Sequence, residues 1–176
     1  MEVVEGKTRK VYVFDKIVVK IAMIYWKAAI SNFRFWWKLD KRKFIMIVKE
    51  FVWGDYYNYN FHPKTNLFAG IRANLLEFIF YLRYRNVFCQ PTYFTFFGLI
   101  NIQKKGLACE ISVEEFKPRM HQLTNNEIPF KDHTFDSPSN FTVNNGHLQC
   151  IDYADPIIQP IILKYGKKLY NEFIVL

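Results

Sequence analysis

The chain has 176 residues, is 51% hydrophobic and 19% aromatic, and holds only 7 Gly and 7 Pro, which excludes a disordered tail and long flexible linkers. Lys plus Arg exceed Asp plus Glu by 24 − 16 = +8, a balance that admits nucleic acid, nucleotide phosphates or acidic lipid headgroups as partners and selects none of them. No fixed-period repeat is visible and no stretch reaches the ~20 apolar residues that cross a bilayer, so the chain reads as one domain, 1–176.

In chain order, Lys10–Phe14 and Lys16–Met23 are rich in β-branched residues and predict two short strands separated by Asp15, with Gly6 in the turn upstream. Along the second run Ile17, Val19 and Ile21 point to one face, and Val18, Lys20 and Ala22 to the other. Ile24–Trp53 mixes aromatics with Lys and Arg at helical spacing, and Gly54–Pro63 is a turn-rich break; together they predict a helical insert over 24–65. Asn66–Arg85 gives the strongest helix pattern, with Leu67, Ile71, Leu75, Phe78 and Leu82 forming one apolar stripe and Arg83 and Arg85 at its C-terminal end.

Gln90–Ser112 predicts two or three strands that bend at Gly98 and Gly106. Val113–Asn126 predicts a short helix broken or kinked at Pro118, followed by a loop over Ile128–Asn140. Phe141–Val143 and Leu148–Ile151 flank an Asn-Asn-Gly turn and predict a hairpin, bracketed by Asn140 and Asp152. The tail supplies one amphipathic helix around Leu163–Leu176. Strands, helix, strands, helix, loop, hairpin and helix amount to an α+β layout with a mostly antiparallel sheet.

Cys89, Cys109 and Cys150 lie far apart among apolar neighbours, which predicts buried free thiols in a reducing cytoplasm rather than disulfides or a zinc site. The N-terminal MEVVEGKTRK carries no apolar signal segment, consistent with a cytoplasmic location, and the acceptor pattern Asn140-Phe141-Thr142 is then coincidental. His62, His121, His133 and His147 show no ligand spacing, and no Walker loop, Gly-x-Ser-x-Gly elbow or Cys-x-x-Cys pair occurs.

Four features nevertheless stand in a telling order: a strand lysine, Lys20; a helix glutamate, Glu77; the loop KDHTFDSPSN ending in Asn140; and a hairpin ending in Asp152. This order resembles the protein-kinase-like fold. Within it, VYVFDKIVVKIA, CQPTYFTFFGLINIQKKGLACEI and FDSPSNFTVNNGHLQCIDYADP look most like the compact bacterial kinase-like family named for the PhoP regulatory network. They are also similar to the early-gene protein kinases of podophages. The similar segments cover about half the chain.

The resemblance implies a minimal protein-kinase-like fold: an antiparallel N-lobe sheet with one main helix over 1–110, interrupted by the insert 24–65, and a strongly truncated C-lobe over 111–176. It implies ATP and Mg²⁺ as cofactors, with Lys20 and Glu77 positioning the phosphates beside Gly6, and Asn140 and Asp152 holding the metal. The catalytic base has two candidates, Asp136, four residues before Asn140, and Asp132, eight before it. The family's own position, five before Asn140, is Phe135. Aligning His133, Pro138 and Asn140 with His-Arg-Asp-x-x-Pro-x-Asn puts Phe135 in place of the base. Aligning Phe135-Asp136 with the phage form keeps Asp136 as base in a loop one residue shorter. The Asp-Phe-Gly equivalent reads Asp152-Tyr153-Ala154, and only Gly6 stands where kinases carry several glycines.

Two functions follow as expectations. One is a small ATP–Mg²⁺-dependent kinase-like protein that passes phosphate to an acceptor the sequence does not name. The other is a catalytically inactive kinase-like module, of phage or mobile-element type, that inhibits or recruits a protein partner. The basic aromatic stretch Tyr25–Trp53 supports a third and less favoured expectation, binding to nucleic acid or an anionic membrane surface.

Overall fold

The computed structural model describes residues 1–6, 8–39, 67–128 and 134–175. Their order is strands β1 (Glu2–Glu5), β2 (Arg9–Val13) and β3 (Ile17–Ala22), then helices α1 (Trp26–Leu39) and α2 (Ala69–Tyr84). Strands β4 (Thr92–Phe96), β5 (Ile100–Lys104) and β6 (Leu107–Ala108) precede helix α3 (Val113–Leu123). A 3-10 turn at Pro138–Asn140 leads into β7 (Phe141–Asn144) and β8 (His147–Cys150), and helix α4 (Ile158–Glu172) follows.

The fold is α+β, with a five-stranded sheet in the order β1-β2-β3-β5-β4 and a separate three-stranded sheet, β6-β7-β8, both antiparallel. The sequence pattern suggested one sheet and missed β1. All four β1 residues are exposed, so no apolar alternation announces the strand; its pairing with β2, from Glu2↔Val13 to Glu5↔Lys10, makes it. Of the predicted insert, α1 covers 26–39, and the remainder through residue 65 lies outside the described residues.

Register decides which side chains meet beneath the large sheet. Lys20 lies opposite Val11 of β2 and opposite Asn101 of β5. Paired residues share a face and so do residues two apart, so Arg9, Lys20, Asn101 and Gln103 all line one side. Each of the four is buried, which gives the sheet an unusually polar inner face.

Helix α2 covers that face with a different surface from the predicted one. Its buried residues are Ala69, Gly70, Ala73, Asn74, Glu77 and Phe80, whereas Leu82 is exposed and Ile71, Leu75 and Phe78 are only half-buried. The stripe misled because the sheet presents charges to be matched. Small residues let the helix come close: a Cβ on Gly70 would overlap the Thr8 carbonyl and press on Ala22. The helix ends at Arg85, whose N–H closes the last helical bond to the Tyr81 carbonyl at 2.8 Å before its left-handed φ of 45° turns the chain away.

Pro118 neither breaks nor splits α3, which runs continuously from Val113 to Leu123. Ser112 caps it by accepting from the Glu115 N–H at 3.3 Å, and Phe116 and Met120 bury its inner face. Helix α4 starts earlier than the tail pattern indicated, at Ile158, and buries Ile158, Ile162, Tyr165, Gly166 and Leu169. The β7–β8 hairpin turns at Asn145 and Gly146, whose φ angles of 51° and 78° are those a two-residue turn of this hand requires.

The apolar core gathers in the second half of the chain, around Phe88, Phe116, Met120, Phe135, Phe141, Leu148, Ile162 and Phe173. Phe135 is fully buried, stacking on Phe88 with centroids 6.4 Å apart and tilting against Phe141 at 5.8 Å. Phe135→Ala should therefore lower stability by about 3–5 kcal/mol, read as a shift in the urea midpoint. A loss under about 1 kcal/mol would show that Phe135 is not a core anchor.

Candidate functional site

Glu77 is the hub of a buried ionic cluster. Its Oε2 accepts from Lys20 Nζ at 2.9 Å and its Oε1 accepts from Arg9 Nη1 at 2.6 Å. The second guanidinium nitrogen of Arg9, Nη2, donates to Asp152 Oδ1 at 2.9 Å. Lys20 Nζ also donates to the Ile151 carbonyl at 2.5 Å. Three predicted residues, Lys20, Glu77 and Asp152, thus converge with a fourth that the sequence reading missed, Arg9.

Each member is placed by its own element. Arg9 and Lys20 point inward because β2 and β3 pair in the register given above. Glu77 lies one helical turn after Asn74, and Asn74 pins α2 to the sheet by donating to the Gly98 carbonyl at 2.8 Å and the Lys20 carbonyl at 3.3 Å. Asp152 is delivered by the β7–β8 hairpin: the Cys150 N–H reaches the Phe88 carbonyl at 2.7 Å, and the Gln90 N–H reaches the Cys150 carbonyl at 2.8 Å. The next residue, Tyr153, is fully buried and its hydroxyl lies 2.6 Å from Thr92 Oγ1 and donates to the Gln90 carbonyl at 2.9 Å.

The electrostatics follow from burial and sign. Glu77 has no exposed side-chain surface, and Lys20 and Arg9 keep 5% and 10% of theirs. Burial pushes the Lys20 ammonium below the usual lysine range; Glu77 opposes that shift and the neighbouring Arg9 charge adds to it. Around Asp152 the surrounding protein acts to raise the carboxyl, but the Arg9 and Lys20 charges prevail and hold it below the usual aspartate range. Asp152 is also the open member, with 45% of its side chain accessible to solvent. Asn101 donates to the Asn74 carbonyl at 3.3 Å and to Glu77 Oε2 at 3.4 Å. Among the described residues its Oδ1 is a buried side-chain acceptor without a partner.

The other predicted residues sit around this centre unequally. The Asn140 carbonyl accepts from the Ile151 N–H at 2.9 Å, so Asn140 and Asp152 share one end of the hairpin. The Asn140 amide nitrogen is committed to the Thr134 carbonyl at 3.1 Å. Asp136 bonds instead to α3, with Lys117 Nζ at 2.6 Å from Oδ2 and His121 Nε2 at 3.7 Å from Oδ1. Gly6 lies in the β1–β2 turn, where its N–H donates to the Arg9 carbonyl at 2.8 Å. Asp132 and His133 lie outside the described residues.

A divalent cation fits this donor set in kind but not in arrangement. One carboxylate and one amide at the same hairpin end are suitable oxygen donors for Mg²⁺. The carboxylate is already engaged by Arg9, however, and among the described residues no three His, Cys, Asp or Glu side chains converge on a metal position. A shallow recess lined by Arg72, Ala73, Leu76, Ala154 and Pro156 lies beside the segment that follows Asp152. Its volume of about 10 Å³ is room for a single water, far below the ~300 Å³ at which small-molecule sites begin.

The three cysteines are free, as expected; Cys89 and Cys150 are buried and Cys109 is partly buried. Burial pushes the thiols of Cys89 and Cys150 far up, which keeps both protonated and inert. No helix among the described residues is long and apolar enough to cross a membrane. In the basic aromatic stretch, Trp26, Ile30 and Trp37 of α1 are exposed, and residues 40–53 lie outside the described residues. Comparison with protein-family models, with curated proteins and with solved structures yields no match.

The downward shift of Asp152 has a consequence for acid stability. A carboxyl whose folded pKa lies below its unfolded value contributes stability that is fully present above about pH 4 and is lost as pH falls through the folded value. Urea midpoints measured from pH 6 to pH 2 should fall less steeply for Asp152→Asn than for the wild type. Parallel acid limbs would mean that Asp152 is not held ionised by the cluster.

Proposed function

We propose that the chain is a minimal kinase-like module that binds a nucleotide triphosphate at the convergence of Lys20, Glu77 and Asp152. One observation carries this reading. A lysine on the third strand and a glutamate on the covering helix meet at 2.9 Å in full burial, and a hairpin from far along the chain brings an aspartate to the same point. In kinases a lysine on the third strand, paired with a helix glutamate, holds the phosphates, and an aspartate stands beside them.

The roles then follow from the residues. Glu77 fixes Lys20 so that its ammonium is a positioned point charge for phosphate oxygens. Asp152, the solvent-open member, faces the approach side, and Asn140 stands at the same end of the hairpin, its carbonyl accepting from the Ile151 N–H at 2.9 Å. ATP would supply a transferable γ-phosphoryl group. For transfer to an acceptor hydroxyl, Asp136 is the base that the described residues offer, and it must first leave Lys117.

That last requirement favours a second reading, an inactive kinase-like module that engages a protein partner. Phe135, which stands where the family has its base, serves the core, and of the two candidate bases Asp136 is tied to α3 by a 2.6 Å ion pair and Asp132 lies outside the described residues. Binding and transfer separate the two readings.

A thermal-shift titration with ATP should stabilise the wild type by about 2.7 kcal/mol at a hundred times the dissociation constant, and Lys20→Met should abolish the shift. No nucleotide-dependent shift in the wild type contradicts the binding reading. If ATP binds, labelled-phosphate transfer that drops by about 10²-fold or more in Asp136→Ala identifies a kinase, whereas binding without transfer identifies the inactive module.

A further inference from the structure

We propose that Arg9 is a built-in counter-cation that makes nucleotide binding at this site independent of a divalent metal. The inference rests on the nucleotide-binding reading above and concerns how that same site is charged. Arg9 is 8% exposed and its guanidinium spans both carboxylates, 2.6 Å from Glu77 and 2.9 Å from Asp152, with Asn74 Oδ1 a further 3.4 Å away. It emerges from the turn that holds Gly6, whose N–H bonds the Arg9 carbonyl, so the start of β2 is fixed and the side chain is directed inward.

Charge counting gives the physical reason. Among the described residues Arg9 and Lys20 are two cations and Glu77 and Asp152 two anions, so these four side chains balance. Without Arg9 the cluster would carry one net negative charge and would attract a metal ion. With Arg9 present, a divalent cation on Asp152 must displace the guanidinium, which cannot shed its proton and stays bound to Glu77 as a like charge nearby. Asn140, the other oxygen donor at that hairpin end, has its amide nitrogen anchored to the Thr134 carbonyl rather than turned to Asp152.

A guanidinium suits the task that the metal would perform. Its planar fork of N–H donors matches carboxylate and phosphate oxygens alike, and it is weakly hydrated, so it tolerates a buried site. Phosphates arriving on the open side of Asp152 would take that carboxylate's place on Nη2 of Arg9, whose charge is already there.

The test is an ATP titration of the wild type, read by thermal shift, once in EDTA and once in excess Mg²⁺. The two apparent affinities should agree within about twofold, and Mn²⁺ alone should produce no shift. Arg9→Gln should bind ATP at least about tenfold more tightly with Mg²⁺ than in EDTA, and Arg9→Lys, which restores the charge, should return towards metal independence. Wild-type binding that needs Mg²⁺ by tenfold or more overturns the inference and leaves the nucleotide reading standing. Absence of any ATP shift in the wild type under both conditions overturns both. The wild-type comparison decides the matter even where Arg9→Gln does not fold.

Discussion

A single carboxylate with no access to water sets the terms for half of this fold. Glu77 is buried completely, and an ionised carboxylate in that position is tolerable only when charged donors surround it. Lys20 and Arg9 supply them, from neighbouring strands whose register puts both on one face. Much else follows from satisfying Glu77. Helix α2 must lie close to the sheet, so Ala69, Gly70 and Ala73 are small. Asn74 must hold the helix at that height, and the inner face of the sheet must carry Asn101 and Gln103 where an ordinary sheet would carry aliphatics.

The two halves of the chain are joined through the same cluster. The apolar core built on Phe88, Phe116, Phe135 and Phe141 supports the hairpin, and the hairpin presents Ile151 and Asp152 upward to Lys20 and Arg9. Tyr153 closes the arrangement, with its ring against Phe80 at 5.9 Å and its hydroxyl on the Gln90 carbonyl. Apolar packing in one half thus fixes the position of a charge that the other half needs. That coupling is why an aspartate 75 residues away from Glu77 in sequence (152 − 77 = 75) belongs to the same site.

How much of this was legible in the sequence depended on the kind of pattern involved. The hairpin announced itself through Asn145-Gly146, and Lys20, Glu77 and Asp152 stood out as charges at element positions where a kinase-like order places them. Arg9 was hidden because its role depends on the β2–β3 register, which no local pattern states. Its one clue was that it shares a strand face with Val11 and Val13. The apolar stripe on α2 misdirected for the opposite reason: periodicity reports hydrophobicity, and this helix buries its polar and small residues instead. The spacing to Asn140 makes Asp136 a candidate base, and spacing does not reveal that Lys117 of α3 holds it.

Lys20 and Glu77 act as one buried unit on which the joining of sheet, helix and hairpin depends. A double-mutant cycle on Lys20→Met and Glu77→Leu, read by urea unfolding, tests it most directly. Glu77→Leu alone takes the carboxylate away from the buried Lys20 and one of two away from Arg9 and should cost about 3–5 kcal/mol, while the double variant should recover part of that loss, giving a coupling of at least about 1 kcal/mol. Single losses that simply add, to within about 0.5 kcal/mol, would contradict the account.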